Sequence, residues 1–212
     1  MKFNFKKVLV LAPHTDDGEL GCGGTIAKMV KEGVDVFYMA FSVCEESVPL
    51  GFKKDELEFE LRNAMAALGV KDENIIIARF PVRHFPEHRQ DILQFIIDNK
   101  ERIDPDLILM PCLDDIHQDH RIIAEEGLRA YKGRTIFSYE LPWNNLTFRT
   151  STFIKLSSDD ISKKINALEM YKTQKGRQYT DPQFTKSLAR TRGVQIGCQY
   201  AEAFELVRIV ID

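Results

Sequence analysis

The run Val8-Leu9-Val10-Leu11-Ala12, five apolar residues without a polar interruption, constrains the fold more than any other stretch of the chain. It reads as a buried strand, and a strand with no alternation needs cover on both of its faces, which parallel sheets flanked by helices provide. A polar, glycine-rich turn follows it, then a helical pattern from about Gly24 to Lys31 closed by Gly33. The alternation continues with a strand at Val34–Val43, a helix at Asp55–Leu68 stopped by Gly69, a strand at Ile75–Phe80 and a helix at Arg89–Asn99. Leu107–Met110 reads as a strand, His120–Tyr131 as a helix and Thr135–Tyr139 as a strand. Near the end, a strand at Phe153–Leu156, a helix at Asp159–Thr173 and a last strand at Phe204–Ile211, placed at the sheet edge, complete the pattern. The expectation is an α/β protein with a mostly parallel sheet covered on both faces. In such sheets ligands bind in the crevice beyond the carboxyl ends of the strands.

The 212 residues suit one domain spanning 1–212, and neither repeats nor low-complexity linkers divide them. With 29 basic against 32 acidic residues and a formal charge of -3, the chain has no basic stripe of the kind a nucleic-acid binder uses, so nucleic acid is excluded as a partner. Cys22, Cys44, Cys112 and Cys198 are far apart and form no CxxC pair, which predicts reduced thiols. The apolar run from Val8 to Ala12 is too short for a signal peptide, and no stretch approaches the ~20 apolar residues of a membrane span. A cytoplasmic protein is the expectation.

Two polar clusters follow two of the strands and so reach the same edge of the sheet: His14-Thr15-Asp16-Asp17-Gly18-Glu19 and Asp114-Asp115-Ile116-His117-Gln118-Asp119-His120. Imidazole nitrogen and carboxylate oxygen are the ligands of a catalytic zinc, which keeps three protein ligands and leaves a fourth position to water; His14, Asp17 and His120 supply that set. A His-His-Asp set also accepts iron or manganese. Such a metal lowers the pKa of its water from about 15.7 toward about 7. Asp16, beside a ligand, is the candidate base. His117, as an imidazolium, is the candidate for stabilising an oxyanion or protonating a leaving amine. Asp119 either holds His117 protonated or orients a ligand imidazole.

These residues carry a resemblance. Ala12-Pro13-His14-Thr15-Asp16-Asp17-Gly18-Glu19 and His117-Gln118-Asp119-His120 resemble the A-H-P-D-D-E and H-x-D-H motifs of the LmbE-like and PIG-L-like N-acetylglucosaminyl deacetylases. The likeness extends to Gly21-Cys22-Gly23-Gly24-Thr25, to Arg192-Gly193-Val194-Gln195 and to Tyr200-Ala201-Glu202-Ala203-Phe204, covering nearly the whole chain. It implies a Rossmann-like three-layer fold, zinc on His14, Asp17 and His120, Asp16 as general base, and His117 as the electrophilic or acidic partner. The implied reaction is removal of an acetyl group from an N-acetylated amino sugar, a small-molecule conjugate of N-acetylglucosamine type. Assemblies are frequent among proteins of this kind, so a homo-oligomer is also among the expectations. The chain departs from the motif in an extra residue between Ala12 and His14, in Thr15 in place of proline, and in Gly18 where the pattern has glutamate. Glu19, one position later, is the candidate replacement in a supporting role behind the ligands.

Substrate-binding candidates are Arg83 and His84, in a polar cluster with His88 and Arg89 after the Ile75–Phe80 strand; Trp143, the only tryptophan; and Arg192. An aromatic face can hold a sugar ring, while core packing or a structural ion pair would equally account for Trp143 or Arg192. Two further functions compete. A noncatalytic metal- and sugar-binding domain would need neither Asp16 nor His117. A nucleotide-dependent oxidoreductase would use glycines 21, 23 and 24 for a pyrophosphate, but GCGGT does not match GxGxxG and the acidic stretch before it repels phosphate, so close strand-to-helix packing is the better account.

Overall fold

A computed structural model describes residues 5–211. The strands β1 (Lys7–Ala12), β2 (Asp35–Ala40), β3 (Ile75–Ile77), β4 (Leu107–Met110), β5 (Thr135–Tyr139), β6 (Thr152–Leu156) and β7 (Tyr200–Arg208) form one sheet in the order β3-β2-β1-β4-β5-β7-β6. The first five are parallel, and β7 runs antiparallel to both β5 and β6. Helices α1 (Asp17–Lys31), α2 (Glu56–Leu68), α3 (Arg89–Ile103), α4 (Gln118–Ala130), α5 (Ser158–Leu168) and α6 (Pro182–Gln195) surround it. Val8, Val10 and Ala12 pack into one core with residues of α1, α2 and α5, whereas Leu9 and Leu11 join residues of α3 and α4 in another. All five are fully buried, which is why β1 carries no polar residue. The order in which strands are added reverses beside β1, whose neighbours are β2 and β4, so a crevice opens between the carboxyl ends of β1 and β4.

The last strand is not at the edge. Tyr200–Phe204 is buried throughout and lies between β5 and β6, while the true edge, β6, alternates buried Ile154 and Leu156 with exposed Lys155. Continuous burial marks an interior strand and alternation an edge one. The helix α6 has no counterpart in the predicted pattern, although Asp181 caps it by accepting the N–H of Gln183 at 2.7 Å and Pro182 opens it.

Helix α1 begins at Asp17, earlier than predicted, and is broken at Cys22, whose φ of -144° is not helical. The break frees the N–H groups of Gly24 and Thr25, which donate to the Glu202 carboxylate from β7 at 3.0 and 2.7 Å. On its other side Lys164 of α5 donates to the Leu20 carbonyl at 2.8 Å and to Glu202 at 2.7 Å. A buried ion pair therefore caps both ends of the interruption. The predicted helix start at Gly24 coincides with the second half of α1, and the turn before the break carries Asp17 into the crevice. Cβ atoms at Gly21 and Gly24 would lie 2.3 Å from the Tyr139 ring and 2.6 Å from Leu156, so these glycines serve close packing. Among the described residues no helix is long and apolar enough to cross a membrane, and all four cysteines are free thiols.

Candidate active site

The turn after β1 folds back so that the Asp17 carboxylate accepts the N–H of His14 at 2.9 Å. The same oxygen, Oδ2, lies 3.1 Å from His14 Nδ1 and 3.3 Å from His120 Nε2, and those two nitrogens are 3.3 Å apart. Donors bound tetrahedrally to zinc at about 2.0–2.1 Å would be separated by about 3.3–3.4 Å, so the three atoms fit one face of such a site and leave its fourth corner to solvent. The far nitrogens of both rings are already committed: His14 Nε2 to Asp119 Oδ2 at 3.0 Å, and His120 Nδ1 to Asp115 Oδ2 at 2.8 Å. Carboxylates in these places hold the ring proton on the outer nitrogen and turn the inner lone pair toward a shared cation. Without a cation the inner nitrogens gather protons instead. Burial works against charge on His120, yet the charge of Asp17 and the bond to Asp115 hold its pKa up at about 10. His14 is also raised, against burial, by Asp17 and Asp119. Asp17, despite burial, is held well below the usual carboxylate range by His120 and His14.

Ring nitrogens of His14, His117 and His120 also fall within 4.8 Å of one another. On distance Asp17 is the better third donor. His117 is instead the N-cap of α4: its Nδ1 accepts the N–H of Asp119 at 3.2 Å, and its ring stacks on His120 with centroids 4.6 Å apart. That bond leaves the proton of the neutral ring on Nε2. Burial, followed by the charges of His120 and His14, lowers the His117 pKa, so the environment favours neutral imidazole over the imidazolium expected from sequence. The Asp119 carboxylate does not bond the His117 ring; it accepts from His14 and from the N–H groups of Arg83 at 2.6 Å and Phe85 at 3.4 Å. Asp16 lines the cleft half-buried, and burial together with the charge of Asp17 raises it to about 6, against the pull of His14 and Arg177.

Glu19 lies behind this turn and outside the cleft lining. It accepts hydrogen bonds from Tyr38 and, at 2.5 Å, from Tyr171, and both hydroxyls also lie within 3.0 Å of the Thr15 carbonyl. Burial raises its pKa to about 8. A Cβ at Gly18 would meet the Tyr38 ring at 2.5 Å, so a glutamate at 18 cannot coexist with Tyr38 in this position.

The cleft above these residues holds about 360 Å³, within the range of small-molecule sites. Arg83, with a left-handed φ of 71°, and Trp143 line it. His84 does not: it is exposed and pairs with Glu87 at 3.0 Å. Arg192 is also outside the lining, held by both oxygens of Glu140, with its Nε at 2.9 Å, and by Gln195 at 3.1 Å. Arg177, Tyr179 and Gln174 line the cleft without having been singled out in the sequence, because nothing local marks a loop residue that folds over a distant site. Asp115 was legible in principle, since a ligating histidine normally has a carboxylate behind it and Asp115 stands in the same cluster as His120.

Known proteins resemble this chain over most of its length. The diacetylchitobiose deacetylase of Thermococcus kodakarensis is 27% identical over 228 residues, covering 95% of this chain and 83% of that protein. The uncharacterized deacetylase YaiS of Escherichia coli strain K12 is 25% identical over 174 residues, 79% of this chain and 91% of its own. Among solved structures, the conserved protein TT1542 from Thermus thermophilus superposes with a TM-score of 0.79 at 28% identity, covering 97% of this chain and 96% of that one. The family model described as PIG-L, GlcNAc-PI de-N-acetylase, matches residues 9–131, more than half of the chain, and the protein therefore belongs to the PIG-L family.

Proposed function

We propose that this protein is a metal-dependent hydrolase, a single domain over residues 1–212, that removes the acetyl group from an N-acetylated amino sugar. One observation carries the reading: three donor atoms from His14, Asp17 and His120 converge at 3.1–3.3 Å with two carboxylates behind the rings. These residues would hold a divalent metal, zinc by donor chemistry, which when bound supplies a Lewis acid and an acidified water. Asp16, raised to about 6, is ionised at neutral pH and accepts the proton of the attacking water. His117 Nε2–H donates a hydrogen bond to the acetyl oxygen as negative charge develops there. The C–N bond breaks, the amine leaves with a proton delivered through Asp16 or His117, and acetate is the other product. Asp115 and Asp119 keep the two ligand rings in their tautomers, and Trp143, one face of which is stacked on Tyr179, packs against the sugar from the cleft wall. The deacetylases among its relatives support the amide substrate.

The test is metal content together with acetate release from a panel of N-acetylglucosamine conjugates for the wild type, Asp16→Asn and His120→Ala. About one metal per chain, acetate from the wild type alone and metal lost only in His120→Ala are expected. Metal bound equally by all three proteins, or none by the wild type, would overturn the reading.

A further inference from the structure

Arg177 is one of two arginines in the cleft lining, and the two differ. Arg83 has Glu46 at 3.9 Å. Arg177, among the described residues, has no carboxylate within ion-pair distance; its partner is the Tyr179 hydroxyl, to which Nη1 donates, with the guanidinium 5.8 Å from the Tyr179 ring centroid. Tyr179 in turn stacks on Trp143, with centroids 4.6 Å apart and planes at 18°. One donor of the guanidinium is thereby used to fix its position, and four N–H donors remain of the five.

The loop that presents Arg177 is tied down rather than free. Tyr171 reaches the Thr15 carbonyl at 2.8 Å, Thr173 bonds the buried Glu60 through its N–H at 3.0 Å and its hydroxyl at 2.5 Å, and the Thr180 N–H donates to the Arg177 carbonyl at 3.1 Å. Arg177 also lines a second surface groove, of about 690 Å³, together with Lys172 and Lys175 against Glu169 and Asp181. The cation thus stands at the junction between the metal-ligand end of the cleft and an outer groove with a net positive lining. With a neutral sugar its charge would face only the more distant Asp16, whereas an oxyanion accepts two parallel N–H bonds from such a fork.

Resting on the deacetylase reading above, we infer that Arg177 organises an anion-binding subsite, and that the amino sugar carries a phosphate or carboxylate on the group that extends from the cleft into the groove. The experiment compares kcat/KM for methyl N-acetylglucosaminide, N-acetylglucosamine 1-phosphate and a carboxylate-bearing N-acetylglucosaminide in the wild type, Arg177→Gln and Arg177→Lys. At least one anionic substrate is expected to be favoured about tenfold or more over the neutral one, and Arg177→Gln to reduce that ratio about tenfold, with partial recovery in Arg177→Lys. The arm that carries the preference identifies phosphate or carboxylate as the group read. A wild-type ratio near one, or an equal loss on neutral and anionic substrates in Arg177→Gln, overturns the subsite. Calorimetric binding of N-acetylglucosamine 1-phosphate to Asp16→Asn, with and without Arg177→Gln, separates the two claims. An Arg177-dependent affinity without acetate release from any wild-type reaction would uphold the subsite while sinking the reaction, and acetate release with no Arg177-dependent affinity would do the reverse.

Discussion

The floor and the rim of the cleft are built differently. On the floor, His14, Asp16 and Asp17 come from one turn and Asp115, His117, Asp119 and His120 from another, and the ligand rings have partners on both nitrogens. At the rim, Arg83, Trp143, Arg177 and Tyr179 come from three separated loops, and their polar groups are mostly open to solvent. A chain segment that must hold a cation fixes its geometry locally, since a misplacement of even about 1 Å is expensive in rate. Loop segments around the mouth of a cleft tolerate variation, as surface loops do.

On that contrast, changes on the floor should remove chemistry and changes at the rim should only redistribute preference. The largest effect expected is on Asp16→Asn, with kcat reduced about 10²- to 10⁴-fold at unchanged metal content. A loss below tenfold would place the base elsewhere. Next, Glu202→Leu strands Lys164 and the N–H groups of Gly24 and Thr25 beside the break in α1 and should lower stability by about 3–5 kcal/mol in urea melts, with only the part due to the stranded ammonium restored in Glu202→Leu/Lys164→Met. Equal stability would mean that the floor does not depend on the capped break.

Metal uptake should also depend on pH. His120 is raised to about 10, so at pH 6–8 the metal-free ring is protonated and the metal must displace that proton. Apparent affinity is therefore expected to rise with pH, by about tenfold per unit for each proton displaced, and calorimetry in buffers of different ionisation enthalpy should register the release. A flat profile would sink this assignment. Asp115→Ala should weaken metal binding about 10- to 100-fold by freeing the outer nitrogen of His120. The smallest effect belongs to the rim, where Trp143→Ala should raise KM several-fold, about 1 kcal/mol, with kcat nearly unchanged; a collapse in kcat would erase the distinction between the two regions.

Much of the floor was legible because its residues lie close together in sequence. The spacing of His14 and Asp17, and of His117 and His120, places side chains at the start of a helix that follows a strand, at the edge of the sheet where the crevice lies. The rim gave mixed results for the same reason. Trp143 and Arg83 reach the cleft, His84 turns outward to Glu87, Arg192 is taken by Glu140, and Arg177 gave no sign of its position. Glu19 is buried behind the turn because Tyr38 and Tyr171, 19 and 152 positions away, converge on it.

Local pattern alone determined the α/β class, the order of most elements and the two clusters that meet at the sheet edge, because hydrophobic period and strand-to-helix turns are properties of neighbouring residues. The tertiary structure decided that β7 is interior, that α1 breaks at Cys22 under a Lys164–Glu202 cap, that the Asp119 carboxylate serves His14, that burial beside His120 and His14 favours a neutral His117, and that Arg177 stands at the cleft edge. Each of these depends on which distant group reaches a polar atom first, and that competition is settled only when the chain is packed.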